Sequence, residues 1–137
     1  MKAAIIISMA FLFAACSKSS SNSTSPSGGN VSFSSDVQKV FTANCALSGC
    51  HATANPSAGN QNLSAGAAYN SIVNVKSIEM PGYVRVKPFS SDSSYLYMKI
   101  TGASGISGAR MPYGKAPLSS SDIQTIKNWI DQGAQNN

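Results

Sequence analysis

Apolar positions recur at helical spacing in four stretches of the chain, and nowhere do they alternate long enough to read as a strand. Val37, Val40 and Phe41 fall at i, i+3, i+4. Ser35-Asp36-Val37-Gln38 just ahead reads as a capping box, with Ser35 as N-cap and Gln38 reaching back, and the helix should end near Asn44. Tyr69, Ile72 and Val73 mark a second helix within Ala65 to Val75. Ser93 or Ser94 can cap a third, which carries Tyr95, Leu96, Lys99 and Ile100. The clearest is the last: Ser121-Asp122-Ile123-Gln124 forms another capping box, Ile123, Ile126, Trp129 and Ile130 make the stripe, and Gly133 stands where an αL C-cap belongs. Between them, Ala54 to Asn62 reads as loop, Pro81, Gly82 and Pro88 punctuate an irregular stretch, and Gly102 to Pro117 is a loop with four glycines and two prolines. The expected fold is all-α, with several short helices and long loops. Such loops argue against a compact domain unless they wrap a ligand.

The N-terminal part lacks this pattern. Met1-Lys2 is a positive start, and Ala3 to Ala15 is apolar except for Ser8. Residues 1–15 therefore read as a secretory signal, too short to span a bilayer. Leu12-Phe13-Ala14-Ala15 before Cys16 resembles the bacterial lipobox, which implies lipidation of Cys16; the alternative is an ordinary signal with an incidental cysteine. In Ser17 to Asn30 seven of fourteen residues are serine. Residues 16–30 thus read as a lipidated cysteine and a flexible tether of roughly 20 Å root-mean-square span. Residues 31–137 form one domain. A lipid anchor and a tether point to the bacterial cell envelope, at the periplasmic or outer-membrane face.

The chemistry sits in Cys45-Ala46-Leu47-Ser48-Gly49-Cys50-His51. A cysteine pair followed at once by a histidine is how c-type haem is attached, with the thiols joined to the two vinyl groups and the imidazole held under the iron. The usual spacing is C-x-x-C-H; here four residues separate the cysteines. Gly49 is the residue best able to take the backbone this bulge requires. Other readings stay open from the residues alone. The thiols can form a disulfide in an oxidising compartment, which would make the chain a haem-free surface lipoprotein acting as a binding or assembly module. A structural zinc would want a fourth ligand, and a thioredoxin-type pair a βαβ setting.

His51 is the only histidine, so a second axial ligand must be another residue type, and thioether sulfur is the common alternative. Met80, Met98 and Met111 are the candidates outside the signal. Met98 lies on a helix, where methionine more often fills core. Met80 precedes Pro81. Met111 precedes Pro112 in the glycine-rich loop, where a stiff, extended backbone would present the sulfur. All three stand at this point, with Met111 favoured.

These features together resemble the class I cytochrome c family: Cys-x(n)-Cys-His after a first helix, Val86-Lys87-Pro88, Ser94-Tyr95-Leu96-Tyr97, Met111-Pro112, and Trp129-Ile130-Asp131-Gln132-Gly133-Ala134. The similarity covers roughly Val31 to Ala134. It implies a cytochrome c-like fold around one covalent haem c, thioethers at Cys45 and Cys50, His51 and Met111 as iron ligands, and a contact between Phe41 and Trp129 where first and last helices cross. The implied role is electron transfer between redox partner proteins, without a small-molecule substrate. With one histidine there is no distal acid-base group for peroxidase chemistry, so the expectation is a carrier and no enzyme.

Charge adds one refinement. The formal net charge is +5, and Lys76, Arg85, Lys87, Lys99, Arg110 and Lys115 fall in the second half against Glu79 and Asp92. A ring of these around an exposed haem edge would steer acidic partners; otherwise they are solvated surface or partners for haem propionates. No nucleic-acid-binding motif is present.

Overall fold

The computed structural model describes residues 29–137. The expected signal segment, the Cys16 anchor and the tether up to residue 28 lie outside the described residues. The described chain is mostly helical and has no strands, only isolated bridges such as Val73 with Val86 and Val84 with Ser94. Helix α1 is Gln38–Asn44, α2 Ala68–Ile72, α3 Tyr95–Thr101 and α4 Ser120–Asp131. Short 3-10 turns stand at Pro56–Ala58 and Ser91–Ser93. Among the described residues no helix is long and apolar enough to cross a membrane.

The chain enters α1 through a π-helical turn, Phe33–Val37. Its N-cap is Ser32, not Ser35: Ser32 Oγ accepts from Ser35 N–H at 3.2 Å, and Asp36 Oδ2 accepts from Ser32 N–H at 2.9 Å. This is the reciprocal logic of a capping box, stretched by one residue because the π turn is wider. Gln38 does not reach back. Its Nε2 donates to Leu63 O at 3.0 Å and ties α1 to the segment ahead of α2. The other end of α1 falls at Asn44 as the sequence indicated, with Cys45 as C-cap.

The α4 cap also lies ahead of the expected one, by two residues against three at Ser32. Ser119 is the N-cap and accepts from Asp122 N–H at 3.1 Å. Gly133 does take a positive φ, +102°, and turns the chain back so that Ala134 N–H donates to Trp129 O at 2.8 Å. Helix α2 is shorter than its pattern, because Val73 turns extended and Val86 N–H bonds to Ile72 O at 3.1 Å.

Beginning and end of the described chain are laced together. Val31 N–H donates to Gln132 Oε1 and Phe33 N–H to Asn137 Oδ1, each at 2.8 Å. This brings the π turn onto α4. The Phe33 ring lies 5.1 Å from that of Trp129, 5.4 Å from Tyr69 and 6.2 Å from Phe41. The ring packed between Phe41 and α4 is therefore Phe33, a residue placed before the helix when the helix is started at Ser35. Phe41, Trp129, Ile126 and Ile130 are fully buried around it.

Candidate functional site

The C-terminus of α1 delivers the first thiol. Cys45 N–H donates to Phe41 O at 2.8 Å, and the chain then leaves the helix. The segment to His51 closes on itself: Cys50 N–H bonds to Leu47 O at 2.9 Å and His51 N–H returns to Cys45 O at 3.2 Å. Residues 46–50 are thus looped out between the two ends of the motif. Gly49 carries the left-handed backbone of this bulge at φ +78°, and beyond its chain neighbours no atom lies within 4 Å of where a Cβ would stand. Glycine is needed there for its backbone conformation and not for space.

The two thiols differ. Cys45 is partly buried, and burial, reinforced by nearby Cys50 and Asp122, pushes its pKa up to about 11. Cys50 is exposed. Both are free thiols, so no disulfide joins them here. His51 is half-buried and anchored through its carbonyl, which accepts from Leu63 N–H at 2.8 Å. Burial lowers the imidazole pKa against the opposing effect of the Gln61 main chain and Glu79, while Arg85 and Lys99 lower it further. The ring is neutral near pH 7, the state in which imidazole binds a metal. Its Nδ1 is buried without a hydrogen-bond partner.

These residues open onto one cleft of about 310 Å³, at the small end of the range typical of cofactor sites, roughly 300–1,000 Å³. Cys45, Cys50 and His51 line it, and so does Met111 with Pro112. Met80 and Met98 do not. Met80 caps a turn through its N–H on Ser77 Oγ at 3.2 Å, and Met98 is a half-buried residue of α3. Leu63, Leu96 and Ile100 supply the apolar part of the wall. Met111 N–H donates to Lys99 O at 2.8 Å, which ties the late loop back onto α3.

Part of the wall escaped sequence reasoning. Arg85 and Lys99, expected on a positive surface, are each 6% exposed and line the cleft. Arg85 donates to Gly59 O at 2.6 Å and Ser71 O at 2.7 Å. Lys99 pairs with Glu79 at 3.2 Å. The surface ring of positive charge therefore loses two of its six members, and Arg110 is turned to the Met111 and Lys115 carbonyls. The signal was available for Lys99: it shares the apolar face of its helix with Leu96 and Ile100. No comparable signal marks Arg85.

Among the described residues no three His, Cys, Asp or Glu side chains gather as a metal site. The set is instead two thiols, one neutral imidazole and one thioether on a largely apolar cleft. Compared with family models, with curated proteins and with solved structures, the chain finds no match in any of the three.

Proposed function

We propose that the cleft holds one haem c, attached through Cys45 and Cys50 with His51 and Met111 as axial ligands, and that the chain is a cytochrome c-like electron carrier. The carrying observation is the meeting of Met111 with His51 and both cysteines on one cleft that excludes Met80 and Met98. The donor set fits the group. The thiols can take thioether bonds, His51 sets a neutral imidazole in the cleft wall, and Met111 is a soft sulfur on a tethered loop. When bound, the haem supplies a one-electron couple. The chain's own residues would set its surroundings: Leu63, Leu96 and Ile100 would shield the group from water, and ligation by the Met111 thioether would favour its reduced state. With His51 and Met111 both holding the group, the site would leave no open position for substrate chemistry. Cys16 would hold the domain at the cell envelope on its tether, and the exposed Lys76, Lys87 and Lys115 would meet acidic redox partners.

The test is to express the full chain in a host that matures c-type cytochromes. A pyridine haemochrome spectrum of one haem bound through two thioethers is expected, and chain that acquires no covalent haem would overturn the proposal in favour of the haem-free module. In the oxidised protein a sulfur-to-iron charge-transfer band should be present and should vanish in Met111→Ala, whose reduced form should then bind carbon monoxide.

A further inference from the structure

Three segments of chain meet at one buried ammonium in the cleft wall. Lys99 Nζ donates to Ser107 O at 2.7 Å and lies 3.2 Å from Glu79 Oε2. Ser107 is held a second time, its N–H donating to Tyr95 Oη at 3.0 Å. The carbonyl of the same Lys99 receives Met111 N–H at 2.8 Å. The loop between these ties contains Gly102, Gly105 and Gly108, all at positive φ, and such residues cost most to order. Met111 is only half-buried, and its side chain has no polar group to hold it. Its place in the cleft therefore depends on where the loop is fastened.

A lysine in this wall is a costly choice. Burying an ammonium carries a desolvation penalty, and an apolar residue of similar volume usually serves stability as well or better. The pair with Glu79 and the bond to Ser107 offset that penalty only in this loop geometry. We propose that Lys99, supported by Glu79 and Tyr95, is a positioning residue that fastens the 102–111 loop at Ser107 and so presents the Met111 sulfur to the cleft. The fastening itself is independent of the haem reading; its use, holding the sixth ligand, rests on that reading.

The experiment compares full-length wild type, Lys99→Leu and Lys99→Arg by two readouts. The first is amide hydrogen exchange, with the Cys45 N–H at the end of α1 as internal reference. In Lys99→Leu the Ser107 and Met111 amides should exchange roughly tenfold faster, the scale of one lost charge-assisted hydrogen bond. Cys45 should be unchanged, and Lys99→Arg, which keeps the donors, should restore protection. The second readout is the sulfur-to-iron band of oxidised, haem-loaded protein, expected in wild type and Lys99→Arg and lost in Lys99→Leu. Unaltered exchange at both amides overturns the fastening, whether or not haem is present. Faster exchange with an intact band overturns the positioning of the sulfur. Absence of haem in wild type sinks the proposed function and leaves the exchange data to judge the fastening. If Lys99→Leu fails to fold, Lys99→Leu with Glu79→Gln removes the buried ammonium together with its half-buried partner charge and carries the same two readouts.

Discussion

The end of the molecule where the π turn meets α4 and the wall of the cleft are built from different materials. At the first, Phe33, Phe41 and Trp129 are at most 6% exposed, and the one polar atom among them, Trp129 Nε1, is satisfied by Gln135 O at 2.9 Å. At the second, two cations are buried, one imidazole nitrogen lacks a partner, and the methionine is half exposed. An apolar, fully satisfied cluster is what stability alone would select. Buried charge and unpartnered polar atoms cost stability; one further unpartnered atom, Gln38 Oε1 on α1, lies outside the cleft. The aromatic end is the scaffold, and the cleft is the candidate site.

The contrast is broken most directly at Trp129. Trp129→Ala removes the largest side chain of the aromatic cluster and should destabilise by about 3–5 kcal/mol in urea unfolding. A loss below about 1 kcal/mol would show that the scaffold lies elsewhere. Gly133 tests how the same end is closed. At φ +102° any side chain is strained, and a Cβ would stand 2.6 Å from Phe89 Cζ. The Phe89 ring is 72% exposed and can move aside, so the backbone is the main cost, and Gly133→Ala should lose about 1–3 kcal/mol by thermal or urea unfolding.

The cleft is probed by its thiols. In haem-free chain a thiol alkylating agent near pH 8 should modify exposed Cys50 at least roughly tenfold faster than Cys45, since burial holds Cys45 protonated with a pKa of about 11. Mass spectrometry of the two peptides over time measures this, and equal rates would mean that Cys45 is not sheltered. The smallest effect is expected at the cleft mouth. Tyr113 is 76% exposed, and Tyr113→Ala should shift unfolding by no more than about 0.5 kcal/mol. A larger loss would move Tyr113 from rim to scaffold.

The helices were legible because their cause is local. The stripe Ile123, Ile126, Trp129, Ile130 and the stop at Gly133 need only the 3.6-residue period and a glycine able to take positive φ. Their starts were less so. Serines crowd both N-termini, at Ser32, Ser34 and Ser35 and again at Ser119, Ser120 and Ser121, and each can cap in principle. The choice falls to the serine with extended backbone, Ser32 at ψ 135° and Ser119 at ψ 152°, and that conformation depends on how the preceding chain arrives. The site divides in the same way. Cys45, Cys50 and His51 are neighbours in sequence, and Met111 was favoured by the loop around it. Glu79, Arg85 and Lys99 come from separate segments with the appearance of surface charge.

By itself the sequence determined the helical character of the domain, the end of α1 at the first cysteine, the apolar stripe of α4 and the short list of candidate cofactor-binding residues. These follow from periodicity, capping chemistry and the reactivity of particular side chains, all of which act over a few residues. Only the tertiary structure decided that Met111 and not Met80 or Met98 lines one cleft with the two thiols and the imidazole, that Phe33 is the ring between α1 and α4, and that Lys99 lies inside the wall. Those outcomes depend on which distant segments share one buried volume, and that is settled by packing and by the pairing of buried charge, which no local pattern encodes.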